Sequence, residues 1–197
     1  LSRPGYRVKK VGWVSMYKFS ERLYEEWDQI VESLRGEDVD LVVLDLSNNP
    51  GGYLDVSVVI ASDFVSDGVI IKQEDASGNI KNYEAKKRMG RLIGKKTIVL
   101  LNEGSASASE ILAGALRQRA NIKIFGQISF GKGTVQATES LPDGSGLHVT
   151  IAQWLLPDGS KIDGVGVEPD ELIEWKYDET DLQIVVDKAI ELNELTN

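Results

Sequence analysis

The chain has 197 residues, 42% hydrophobic and 27% charged, enough to bury one substantial core in a globular rather than a disordered domain. Its net charge of -9 argues against a nucleic-acid footprint, and the lack of cysteine removes disulfides and cysteine-based metal sites. No apolar run reaches the roughly 18–20 residues of a membrane span, and no charged-then-apolar leader opens the sequence.

Val8 to Met16 alternates apolar positions and predicts a strand. From Ser20, the residues Leu23, Trp27, Ile30, Val31 and Leu34 fall on one face of a helix that Gly36 ends. Asp40 to Leu46 is a short apolar run of the kind found in strands covered on both faces. Ser47-Asn-Asn-Pro-Gly-Gly52 is a dense turn signal, followed by a helix through Val56, Val59, Ile60 and Phe64.

Val69 to Lys72 and Asn79 to Tyr83 flank Asp75-Ala-Ser-Gly78 and predict a hairpin-like excursion. Thr97 to Leu101 repeats the buried-strand pattern, and a helix is expected from about Ala106 to Arg119, rich in small residues that permit close packing. Ile122 to Phe125 is a further short strand. Thr134 to Ser140 and Leu147 to Trp154 alternate as strands around a turn at Pro142-Asp-Gly144, with another turn at Pro157-Asp-Gly159. Asp181 to Leu195 places Leu182, Val185, Val186, Ala189 and Ile190 on one helical face. Strand–helix alternation over the first two thirds predicts an α/β fold, and no composition break divides the single domain at 1–197.

Two short segments carry the chemistry. Ser107 sits inside Gly104-Ser-Ala-Ser-Ala-Ser-Glu110, a small-residue turn entering a helix, where neighbouring N–H groups can face a developing oxyanion. The same residues match a capping box, Ser107-Ala-Ser-Glu110, and for a serine in isolation the cap is the simpler account. A nucleophile needs a base, and the chain holds a single histidine, His148. Lys132, between Gly131 and Gly133, is the natural substitute in a Ser-Lys pair, once burial or positive potential favours its neutral form. On a strand, Lys132, Thr134 and Gln136 would share a side, so Gln136 could hold the amine. The bland account of that trio is a solvent-facing polar strand.

Other readings are weaker. Gly126 to Gly133 nearly fits a phosphate loop, but Gly133 stands where Ser or Thr would hold magnesium, and a strand rather than a helix follows. His148 reads as a structural histidine, with the role of base for Ser107 as its alternative. No histidine pair or calcium-loop spacing suggests a metal, and no cofactor is expected. Trp13, Trp27, Trp154 and Trp175 read as core anchors.

Taken together, Leu44-Asp-Leu-Ser-Asn-Asn-Pro-Gly-Gly52, Asn102 to Ile111, Phe130 to Gln136, Leu156 to Ile162 and Gly164 to Asp170 resemble, in order, core segments of the carboxyl-terminal processing peptidases. These tail-specific proteases are serine peptidases with a Ser-Lys dyad. The resemblance implies a crotonase/Clp-protease-like superhelical β/β/α core. It also implies Ser107 as nucleophile, Lys132 as base, Gln136 as its orienting partner, and the backbone amides of Gly52 and Ala108 as the oxyanion hole. It implies protein or peptide substrates cleaved near unstructured C-termini, and an extracytoplasmic or periplasmic setting. Members commonly carry a PDZ domain before this core, and too few residues precede Val11 to hold one. A PDZ domain or membrane anchor missing from the chain is therefore expected, as is the alternative of an inactive peptide-binding module of the same fold.

Overall fold

A computed structural model describes residues 10–36, 39–87, 89–141, 144–173, 184–189 and 191. A parallel sheet forms its centre. Strands β1 (Val11–Ser15), β2 (Leu41–Asp45), β5 (Thr97–Leu101), β6 (Lys123–Gly126) and β9 (Glu171–Leu172) lie side by side in that order, every pair parallel. Helices α1 (Glu21–Gly36), α2 (Leu54–Ser62) and α3 (Ala108–Ala120) fall between them in sequence. The strand order never reverses, so right-handed crossovers put successive helices on the same face, and the chain winds as a superhelix.

Side-chain alternation divides the sheet cleanly. Val42, Leu44, Val99, Leu101 and Ile124 face the helices, packing with Trp27 and Val31 of α1, Val56 and Ile60 of α2, and Leu112 and Leu116 of α3. Leu41, Val43, Ile98, Leu100 and Phe125 face the other way, where Val185 and Ala189 of the helical stretch 184–189 cover them. The expected last helix is met there; Leu182, Ile190 and residues 192–195 lie outside the described residues, as do Val8, Lys9, Pro142, Asp143 and Trp175.

Local signals explain most helix ends. The Ser20 hydroxyl accepts from the Leu23 N–H at the start of α1, as an N-cap does. Asn121 closes α3 in the left-handed region, its N–H bonded to the Leu116 carbonyl. Helix α2 stops at Ser62, short of the expected Phe64, where the Asp63 and Phe64 N–H groups turn to the carbonyls three residues back, and the Asp63 carboxylate is taken by the Trp27 indole and the Arg91 guanidinium. That pairing holds Arg91 protonated, its pKa raised by hydrogen bonding to Asp63.

The predicted hairpin excursion becomes half of a second sheet. Strands β3 (Val69–Asp75), β4 (Ile80–Glu84), β7 (Thr134–Ser140) and β8 (Gly146–Leu155) form an antiparallel layer in the order β4-β3-β8-β7. Ile71 of β3 and Trp154 of β8 meet Ile111 of α3 in a satellite core. No helix among the described residues is long and apolar enough to cross a membrane.

Candidate active site

The loops after β2, β5 and β6 emerge from the carboxyl ends of three adjacent strands, where α/β sheets place their crevices. A lattice of buried polar groups ties the first two together. Asn49, fully buried, donates from its side chain to the Met16 carbonyl and accepts the Gly51 N–H on its Oδ1. Its own carbonyl accepts from the Ala106 N–H and the Ser109 hydroxyl, both at 2.9 Å. Ser105 Oγ donates to the Leu46 carbonyl and accepts from the Asn102 N–H. The Asn102 side chain in turn bonds the Asn48 backbone and side chain. Of the three serines in the turn, Ser105 and Ser109 are buried and committed to holding loops, whereas Ser107 is half-exposed.

Ser107 has φ 57° and ψ −113°, outside the helical region, so α3 begins at Ala108 rather than at Ala106 as the sequence predicts. A non-glycine residue there is strained, and the anchoring of Ala106 and Ser109 on Asn49 supplies the constraint that sustains it. The turn is packed directly on Gly51. A Cβ added to Gly51 would lie 2.8 Å from Ser107 Cβ and 3.0 Å from the Ala108 nitrogen, so only glycine fits that approach. Gly52 is equally constrained: at φ +143° an added Cβ would sit 2.0 Å from the Phe19 carbonyl oxygen. Its carbonyl-side neighbour Tyr53 donates to that same oxygen, fixing the loop as a one-residue bridge to Phe19. Among the described residues neither the Gly52 nor the Ala108 N–H donates a hydrogen bond.

Glu110 joins the serine turn to the lysine loop. The Glu110 half of the capping box is present, its carboxylate accepting the Ser107 N–H, and Glu110 does far more than cap. Its fully buried carboxylate accepts four hydrogen bonds: from the Ser107 N–H at 2.7 Å, the Ser129 hydroxyl and Gly131 N–H at 2.6 Å each, and the Lys132 N–H at 2.9 Å. Phe130 N–H reaches the Ser105 carbonyl, and Gly133 N–H the Asp163 carboxylate, adding further ties on either side of Lys132. One carboxylate therefore sets the spacing between the backbones of residues 107 and 132.

The Lys132 side chain is exposed and lies two residues ahead of β7, in the loop rather than on the strand. Gln136 is exposed on β7, and a register shift between Val135 and Gln136 interrupts the simple alternation that would align it with Lys132. Among the described residues neither side chain makes a hydrogen bond. His148 lies on β8 with its Nδ1 3.2 Å from the Thr138 hydroxyl, out on the exposed β7–β8 hairpin. No group of three or more acidic or imidazole side chains among the described residues forms a metal-sized cluster.

The profile described as Peptidase family S41 matches residues 10–173. The chain belongs to this family. It is 35% identical over 173 residues to the carboxyl-terminal-processing protease of Synechocystis sp. (strain ATCC 27184 / PCC 6803 / Kazusa), covering 88% of this chain and 39% of that protein. It is 36% identical over 160 residues to the carboxy-terminal processing protease CtpA of Bacillus subtilis (strain 168), covering 81% and 34%. Among solved structures, the photosystem II D1 C-terminal processing protease superposes with a TM-score of 0.80 at 34% identity, over 92% of this chain and 47% of that one. The tricorn protease shares the fold, with a TM-score of 0.61 at 18% identity. The chain thus spans well under half the length of these curated S41 relatives.

Within this S41 core, sequence reading placed Ser107 and its turn but missed Asn49 as the anchor of that turn. It also assigned Glu110 to a cap alone. The Ser-x-x-Glu spacing was the visible signal; the bonds to Ser129, Gly131 and Lys132, 19 to 22 residues on, have no local trace.

Proposed function

We infer that the protein is a serine endopeptidase of the carboxyl-terminal processing type, cutting protein or peptide substrates near unstructured C-termini. Ser107 is the nucleophile, Lys132 the general base, Gln136 the residue that orients it, and the Gly52 and Ala108 amides the oxyanion donors. The observation that carries this reading is the Ser107 turn: a strained serine at the head of a 13-residue helix, pressed against Gly51, beside two amides with no described partner. Such amides cost nothing to reorganise when charge develops on a carbonyl oxygen.

In the reaction, neutral Lys132 takes the Ser107 hydroxyl proton as Oγ attacks the scissile carbonyl. The tetrahedral oxyanion lies against the two amides, with the positive end of α3 behind them. Lys132 returns the proton to the departing amine, leaving an acyl-enzyme, and water, deprotonated by the same lysine, releases it. A substrate strand laid over the exposed Lys132 excludes water from it. Regulation by a PDZ domain and an extracytoplasmic setting belong to the same proposal, supported by the family and by the greater length of its curated members.

A second reading, an inactive peptide-binding member, is favoured by the exposure of Lys132 and Gln136. Labelling with a serine-directed phosphonate separates the two. Covalent capture mapped by mass spectrometry to Ser107 is the expected result; an unlabelled chain, or a label on another residue, removes the nucleophile assignment.

A further inference from the structure

A groove with a volume of about 1390 Å³ opens beside the candidate site, between α1, α2 and β4. It exceeds the roughly 300–1,000 Å³ of small-molecule pockets and has the size of a chain segment. Its nearest link to the site is covalent: Tyr53 and Leu54, the two residues after Gly52, form part of its wall. The Tyr53 N–H is spent on Phe19, so the ring is carried on a fixed backbone. Tyr53 is 64% exposed and Tyr24, on the α1 wall, 54% exposed. Trp27 and Val56 are buried beneath, with Val59 half-buried beside them.

Charge along the rim is mixed. Glu25 and Asp55 stand on the helical side and Lys81 and Lys86 on the sheet side. A strongly charged ligand of either sign would meet one repelling wall, whereas a neutral chain with apolar and aromatic side chains meets two tyrosine rings over an apolar floor. The rings also hold their shape at low entropic cost, which suits them to varied sequences.

We propose that this groove binds an extended, apolar-aromatic stretch of the substrate polypeptide on one side of the scissile bond, with Tyr24 and Tyr53 as its anchors. The proposal rests on the peptidase reading above and names the substrate chemistry that reading leaves open. A polypeptide whose carbonyl oxygen reaches the Gly52 amide lies beside the residue that Tyr53 follows, and Tyr53 is part of the groove wall.

The test uses the Ser107→Ala chain, which cannot turn over, and a fluorescent peptide of about 12 residues rich in Leu, Phe and Tyr and without net charge. Such a peptide reaches about 40 Å when extended. Anisotropy should give saturable binding that weakens about tenfold in Tyr24→Ala and is largely restored in Tyr24→Phe. Phosphonate labelling of Ser107 in the chain with its serine intact reads the peptidase site separately from groove binding. Tyr53→Ala, also at an exposed ring, gives a second variant should the first fold poorly. Equal affinity in parent and variants, or no binding by the parent, overturns the groove. A tyrosine-dependent change in sedimentation instead of peptide affinity overturns it too, in favour of a second copy of this chain. Groove-dependent binding with an unlabelled Ser107 leaves the groove standing and removes the peptidase reading.

Discussion

The turn that carries Ser107 and the hairpin that carries Gln136 and His148 are held in opposite ways. The first is locked from within: Asn49 and Glu110, both fully buried, take part in the eight hydrogen bonds described above, and strain at Ser107 is sustained by that lattice. The second is a two-stranded edge whose outer part is exposed, with Leu147, Val149 and Ile151 uncovered and β7 the sheet's last strand on that side among the described residues. Lys132 stands at the junction, its backbone on the rigid side and its side chain in solvent. The difference teaches that the Ser107 turn and the Gly52 and Ala108 amides proposed to act with it are held by the core, whereas the Lys132 side chain is held by no hydrogen bond among the described residues.

The largest expected effect tests the rigid side. Ser107→Ala should reduce peptide hydrolysis by at least about 10⁴-fold while the melting temperature stays close to that of the parent, because the lattice acts on backbone atoms and on Ser105 and Ser109. A Ser107→Ala chain that still cleaves would end the assignment.

Next comes the junction. Lys132→Arg retains charge and reach, yet guanidinium does not release its proton, so it should lose about 10²–10⁴-fold in kcat, as Lys132→Ala does. Near-normal turnover by the arginine variant would remove the dyad.

Glu110→Gln probes the tie between the two halves. An amide offers one acceptor oxygen where the carboxylate offers two, and its NH2 would face backbone donors. The expected cost is about 1–3 kcal/mol in denaturant unfolding, with kcat lowered more than KM is raised. Full stability and full activity together would show that the spacing of residues 107 and 132 is set elsewhere.

The smallest effects belong to the hairpin. Gln136→Ala should lower kcat only several-fold, and His148→Ala should leave it within about twofold, since the imidazole is paired with Thr138. An inactive but folded His148→Ala protein would move the base to the histidine and reverse the comparison.

Much of this arrangement was legible along the sequence where one local pattern determines one element. Trp27, Val31 and Leu34 mark the buried face of α1, and the apolar runs at 41–45 and 97–101 are central strands covered on both sides. The second sheet was not legible in its pairing, because β3 meets β8 between residues 72–75 and 152–155, and strand partners so distant leave no periodic trace. At the site, the small-residue turn identified Ser107, but its unusual backbone angles arise from contacts with Asn49 and Gly51, on a loop more than fifty residues earlier. For the same reason Gly52→Ala is a poor test of an amide: the added carbon would strike Phe19 and displace the loop as a whole.

The uniform direction of the strand order has a consequence for synthesis. All three long helices lie on one face of the parallel sheet, so Leu41, Val43, Ile98, Leu100 and Phe125 wait on the other for Val185 and Ala189. As the chain leaves the ribosome from its N-terminus, the Ser107 turn and its lattice are complete in sequence by Lys132, some fifty residues before the stretch 184–189 that roofs the back of the sheet. The nascent domain therefore carries an assembled Ser107 turn over an open apolar wall, and that wall is what a chaperone would meet.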